Sequence, residues 1–551
     1  MTIPDASLLQ VAAVGPAVAG VVWLGLLRWP WIRRLAAGAV WLAAHAAAWS
    51  VFWRLYGAET VGWRGLEPGL LQASVVPVAE IGVLLALIRA DALRGRAAVG
   101  AVVGLTVSMS AVVVGAYSTS LVGQALFLPV PTLAAAAASL TGSGWRRMPG
   151  LGGLAAADLV AVLGFAVLFD RSGSSTVTSA GGLGLGSALL LLSAAAKVGA
   201  VPGFATWRLT ASNGPGALIT AALRGQGVAL CALAGPIVAG VEDSIPLAAA
   251  AVVATMIAGG SGLLAGRAHT SLTAICGAAG AVLFLAIGLG GSVGLRAFLL
   301  LFPAFLLASG VALLVGWPGE EEELAGRRSR IRRWVGGAAL GVAAASLAGL
   351  PPAGGFPGTW LTFDLATARG TIEPLYVILT GAAALGLVAA VVGAIPLLRA
   401  VRPGWIPALV GAAGAGMLLY VGSLPVRVGG GWWLRVEDGL NAPRLLSFVG
   451  APSLPPVAGK VLLAAAMASA VPVGLVILLG RGFRDAGGTF AGPIPRRNPG
   501  PSRGGVRHLA RKLLARSERL YVGMAAAMLI ELAAVWSIVQ LVIRAGRRGF
   551  L

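Results

Sequence analysis

Long apolar runs separated by short polar breaks recur along almost the whole chain. A helix of about 20 apolar residues crosses the hydrocarbon core of a bilayer, because each residue adds about 1.5 Å of rise. On that scale the pattern predicts about sixteen transmembrane helices and an all-α, polytopic membrane protein. The first eight lie near Ser7–Leu27, Leu35–Trp53, Leu70–Leu87, Ala98–Ala116, Leu121–Leu140, Leu151–Phe169, Leu183–Trp207 and Pro215–Val241. The others lie near Ile245–Ala265, Thr270–Leu289, Val293–Trp317, Val335–Ala368, Tyr376–Leu398, Ile406–Leu424, Val461–Leu479 and Leu520–Val542. No basic segment precedes the first run, and it is long enough to cross, so it reads as a span rather than a cleavable signal.

The polar breaks carry the orientation signal, since Lys and Arg near span ends favour the cytoplasmic side. Arg28, Arg33 and Arg34 follow the first span, Arg94 and Arg96 the third, and Arg146 and Arg147 the fifth. Arg208, Arg267, the cluster Arg327–Arg333, the pair Arg399 and Arg402, and the basic segment Arg481–Arg519 continue that alternation. Both termini are therefore expected on the non-cytoplasmic side of a cell's inner membrane, with Arg544, Arg547 and Arg548 as the one contrary cluster. Two breaks are long. Pro425–Ala458 contains Trp432, Trp433 and Arg435, which suit either the headgroup interface or a plain loop. In Gly480–Arg519, Val506, Leu509, Leu513 and Leu514 share a helical face among basic residues, as in an interfacial helix or a solvated linker.

Composition supports the same class. Of 551 residues, 58% are hydrophobic and 11% charged, with a mean hydropathy of +0.88, too little charge to cover soluble cores. The net charge of +21 is dispersed through the breaks rather than gathered on one stripe, so it reads as topology and not as nucleic-acid binding. Cys231 and Cys276 both fall inside apolar runs, without metal-ligand spacing, and no metal or redox cofactor is expected.

An ionisable side chain at bilayer depth costs a few kcal/mol, so each one is a functional candidate in need of a partner. Those at depth are His45, Glu80, Asp158, Lys197 and Arg224, with Arg296, Asp364 and Arg369 nearer the span ends. Lys197 stands apart, because the chain uses arginine almost everywhere else for positive charge. Arginine stays protonated, whereas a desolvated lysine can release and regain its proton. Five residues on, Pro202 and Gly203 weaken the helix, and irregular backbone at membrane depth lines polar cavities. Glu80 and Asp158 are both candidate counter-ions for Lys197 or Arg224; a purely structural lysine is the alternative.

Four stretches resemble the antiporter-like membrane subunits of respiratory complex I, Mrp-type sodium/proton antiporters, membrane-bound hydrogenases and inorganic-carbon uptake systems. The stretch from Ser193 through Lys197, Pro202, Gly203 and Trp207 to Gly214-Pro215 resembles the family's broken seventh helix. Ser346-Leu-Ala-Gly-Leu-Pro351-Pro352 followed by Gly355-Phe356 resembles the broken twelfth helix. Arg267–Gly290 resembles, more loosely, the family's basic turn and following span, and Ala155–Leu159, with Asp158, the sixth helix of its largest members. The resemblance implies N-terminal helices over 1–97, a first antiporter-like half over 98–270, a second over 271–424, and C-terminal helices with a basic connection over 425–551. It also implies a proton- or cation-translocating subunit with no redox cofactor of its own, set in the lipid bilayer beside other membrane subunits of a hetero-oligomeric complex.

The departures from the family pattern bear on that function. The fifth span has no glutamate, with Gln124 or Phe127 near its place; Leu223 and Arg224 stand where the eighth helix carries a histidine or lysine. Thr359 and Trp360 replace the lysine and acid expected after Gly355-Phe356, leaving Asp364 as the nearest acid. The segment Gly480–Arg519 could reach about 60 Å at most as a helix, and its proline-rich half precludes the long lateral helix of the large complex I subunit. The candidate translocation residues are therefore Lys197, Asp158, Glu80, Arg224 and Asp364, with Pro202, Gly203, Pro351 and Pro352 at the helix breaks. A degenerate channel is one form of this reading. A structural scaffold subunit, or the membrane subunit of an inorganic-carbon uptake system, is the alternative.

Overall fold

The computed structural model describes residues 5–427 except 58, 63–65, 67, 92, 94, 119, 142–149, 173–183, 211–214, 240–243, 265–267, 317–329, 351–352, 371–374 and 401–404. They fall within one compact unit, Met1–Val476. The last two expected spans lie outside the described residues; the first fourteen all correspond to helices.

The N-terminal helices α1 (Asp5–Gly25) and α2 (Pro30–Tyr56) form an antiparallel hairpin, with Arg54 at the end of α2 paired to Asp5 at the start of α1. Pro30 begins α2, where its missing N–H costs no helical hydrogen bond. Val11, Val14, Val18 and Val21 form an exposed apolar stripe along α1, the surface expected toward lipid. Trp29 and Trp31, exposed at the turn of the hairpin, suit the headgroup level. At the same end Arg33 and Arg34 grip Asp91 at 2.7 and 2.6 Å.

Next come α3 (Leu70–Asp91), α4 (Gly95–Tyr117), and the two short helices α5 (Leu121–Phe127) and α6 (Val130–Leu140). They are followed by α7 (Leu151–Ser172), α8 (Leu185–Val198), α9 (Thr206–Thr210) and a 3-10 turn at Pro215–Ile219 that leads into α10 (Thr220–Ala239). Then come α11 (Ile245–Leu264), α12 (Ala268–Gly288), α13 (Gly291–Gly316), α14 (Arg330–Leu347), α15 (Phe356–Gly370), α16 (Leu375–Ala400) and α17 (Trp405–Arg427). Ten helices among the described residues are long and apolar enough to cross a membrane, consistent with a multi-pass membrane protein.

Helix α3 packs against α2, α4 and α10, and also on α13. A Cβ at Gly310 of α13 would stand 3.0 Å from the Gly82 Cα of α3, so only a glycine pair lets these backbones come so close. Helix α12 is buried along its apolar length and packs on α11, α13 and α16.

Candidate functional site

Helix α8 stops just beyond Lys197. Gly199 takes the left-handed conformation at φ +91°, which L side chains rarely adopt. The amides of Gly199 and Ala200 both donate to the Ala195 carbonyl, at 3.1 and 2.9 Å, closing the helix with a Schellman-type turn. The expected break at Pro202 therefore begins three residues earlier, at a glycine cap, and Pro202 and Gly203 lie within the irregular run that follows. Ala205 in that run has φ +44°. A Cβ at Gly150 would lie 2.3 Å from the Ala205 carbonyl oxygen, and one at Gly153 2.8 Å from its nitrogen, so two glycines admit the irregular run against the start of α7. Lys197 is left in the last turn of α8, where the helix dipole favours a cation.

The Lys197 side chain is fully buried, and three oxygens from three other elements converge on its amine. Asp158 Oδ1 of α7 is 2.5 Å from Nζ. Nζ donates to Gln226 Oε1 of α10 at 2.5 Å and to the Leu128 carbonyl at 3.2 Å. The Gln226 amide Nε2 donates to that same carbonyl at 3.1 Å, tying α10 to the turn between α5 and α6. The single expected span Leu121–Leu140 divides into α5 and α6 beside Pro129 and Pro131, and Leu128 sits at the division, outside both helices, with its carbonyl open to side-chain donors.

The other candidates are placed elsewhere. Glu80, on α3 and fully buried, is bonded to His45 of α2, with Nδ1 and Oε2 2.9 Å apart. Trp49 Nε1 donates to His45 Nε2 at 3.0 Å; since indole is a donor only, Nε2 is the acceptor and the His45 proton is on Nδ1, directed at Glu80. Arg224, one turn into α10 and buried, donates from Nη2 to Thr210 Oγ1 of α9 at 3.3 Å. Asp364 is exposed on α15. Pro351 and Pro352 lie outside the described residues. Among the described residues no group of three or more His, Cys, Asp or Glu could hold a metal ion.

Sequence reasoning missed Gln226 and the Leu128 carbonyl. An uncharged amide two positions after Arg224 and two prolines inside an apolar run were the available signals. A cavity of about 30 Å³ opens beside them, with Gln72 of α3, Gln124 of α5, Leu128 and Gln226 of α10 among its lining. That is room for about two waters, and its amides supply the polar partners waters need.

No family model matches the chain, and no curated protein matches it. Solved structures do match. A chain of the membrane-bound sulfane sulfur reductase, an archaeal respiratory membrane complex, superposes with a TM-score of 0.64 and 17% identity over 98% of this chain and 100% of its own. A chain of respiratory complex I from Thermus thermophilus gives 0.57 and 21% identity over 76% of this chain and 98% of its own. One from the Mrp complex of Dietzia sp. DQ12-45-1b gives 0.58 and 16% over 82% and 98%. The chain shares its fold with chains of these three membrane complexes. At these identities the likeness concerns fold alone.

Proposed function

We propose that the chain is a membrane subunit of a multisubunit respiratory or antiporter complex and that it moves protons or monovalent cations through the first of its two halves. The observation that carries this reading is the buried Lys197–Asp158 pair at the broken end of α8. A charge there can be met by Asp158, by Gln226 or by the Leu128 carbonyl, so proton loss and regain cost less than for a lysine among apolar side chains alone. The amide-lined cavity supplies waters on one side of the pair. Arg224 keeps a fixed positive charge on the same helix as Gln226, and the Glu80–His45 pair holds a second ionisable site toward the N-terminal hairpin. Redox or substrate chemistry belongs to partner subunits.

The test is a pair of variants, Lys197→Ala and Lys197→Arg, in the native complex, with ion translocation and assembly read together. Normal assembly with translocation lost in both is the expected result. Unchanged translocation in both would leave the scaffold reading, in which the fold persists and the charges serve packing alone.

A further inference from the structure

The three groups around Lys197 Nζ are all oxygens, and together they carry one negative charge. Asp158 supplies the carboxylate; Gln226 Oε1 and the Leu128 carbonyl are neutral. None of the three belongs to α8. The oxygens come from α7, α10 and the α5–α6 turn, so the cage is assembled without the lysine and the ammonium is its occupant. Two features hold it in shape. Gln226 is braced by its own amide bond to Leu128 at 3.1 Å, which aims Oε1 away from that carbonyl and at Nζ. The division of the fifth span at Pro129 and Pro131 places the Leu128 carbonyl there.

We infer that this cage is a monovalent-cation site of sodium class, that the Lys197 ammonium is a tethered cation filling it, and that an ion enters when the amine leaves. The inference deepens the proposed function by naming the ion that the switch exchanges. It rests on that reading only in requiring that Lys197 can vacate the cage. Hard cations take oxygen ligands, and charge selects among them: one carboxylate balances one positive charge and leaves a divalent ion uncompensated in a buried site. Three protein oxygens leave coordination positions open. The cavity beside Leu128 and Gln226, with room for about two waters, can fill them. Displacement conserves charge: the ammonium passes its proton to a water of the adjoining cavity, the neutral amine withdraws, and the incoming cation restores the balance against Asp158.

The experiment is equilibrium binding of radioactive sodium to the purified full chain in nanodiscs, comparing wild type, Lys197→Ala and Lys197→Ser. Each small side chain vacates the cage and leaves the Asp158 carboxylate without its ammonium. The expected result is a saturable sodium component in both variants, absent or much weaker in wild type, and lost again when Asp158→Asn is added. The unfolding midpoint of both variants should also rise with sodium concentration relative to an equal concentration of N-methylglucamine chloride, because a ligand for the native state stabilises it. A variant that unfolds without sodium and is held by it supports the inference as well. If neither variant binds or is stabilised by sodium at any pH up to that tolerated by wild type, the cage is not a cation site. That outcome leaves the translocation test untouched; sodium binding alongside unchanged translocation would sustain the cage and remove the transport role.

Discussion

The two broken helices share a backbone and differ in chemistry. At the first, Ala200 donates to the Ala195 carbonyl across a left-handed Gly199; at the second, Leu350 donates to the Ala345 carbonyl, at 2.8 Å, across Gly349 at φ +67°. Counting from these caps puts Lys197 and Leu347 in the same place, each buried two residues before the glycine. One break therefore presents an ammonium to a carboxylate and the other an isobutyl group to the apolar interior. The architecture survives without the charge, so interrupting the helix and supplying a titratable group are separate requirements. The second break retains hydroxyls, with Ser346 Oγ accepting from the Gly355 amide at 3.0 Å and Thr359 lying against Gly349. Ser346 thus satisfies a backbone amide, and neither hydroxyl carries a proton load.

The most severe way to erase the difference is to make the first break resemble the second. Lys197→Leu leaves Asp158 buried and unpaired, and losing one partner of such a pair costs about 3–5 kcal/mol. Adding Asp158→Leu should restore most of that stability, read as the thermal midpoint in nanodiscs, and should not restore translocation. Recovery of both would mean the pair is only structural. The converse substitution, Leu347→Lys, places a charge at the second break without an Asp158 counterpart. A lysine at bilayer depth costs about 2.5–3.5 kcal/mol. The midpoint should fall, with no gain in translocation; an unchanged midpoint would indicate a hidden counter-ion.

Smaller effects separate the two caps. Forcing an L side chain into the left-handed region costs about 1–2 kcal/mol, so Gly199→Ala and Gly349→Ala should each destabilise. Gly349→Ala should do so more, because its Cβ would lie 2.2 Å from Thr359 Oγ1, whereas the nearest atom at Gly199 is 3.7 Å away. Equal shifts in denaturation would contradict that ranking. The smallest effect belongs to Asp364, exposed on α15: Asp364→Asn should change the midpoint by no more than about 0.5 kcal/mol and leave translocation intact.

How far the sequence predicted these features follows from what each one depends on. Spans were legible because about 20 apolar residues between polar breaks have few other uses. Lys197 was legible because a lone lysine in an arginine-using chain is conspicuous. Its partner was not, since Glu80 and Asp158 sit on different helices and only the rotation of α3 and α7 in the bundle directs one to His45 and the other to Lys197. Gln226 and the Leu128 carbonyl carry no charge, and an uncharged group at bilayer depth does not stand out in a sequence. The break itself was read at Pro202, yet a left-handed glycine can end a helix before a proline is reached, and Gly199 does so.

The most direct test of the central claim uses the scarcity of lysine. The chain has three, Lys197, Lys460 and Lys512, so nitrogen-15 labelling of lysine ζ-nitrogens in this subunit alone, reconstituted with unlabelled partners, yields three side-chain resonances, and Lys197→Arg assigns one of them. Recorded in the native complex at rest and during turnover, the Lys197 resonance should move between the ammonium and amine positions while the other two stay in place. A Lys197 resonance that remains at the ammonium position throughout turnover would contradict the account.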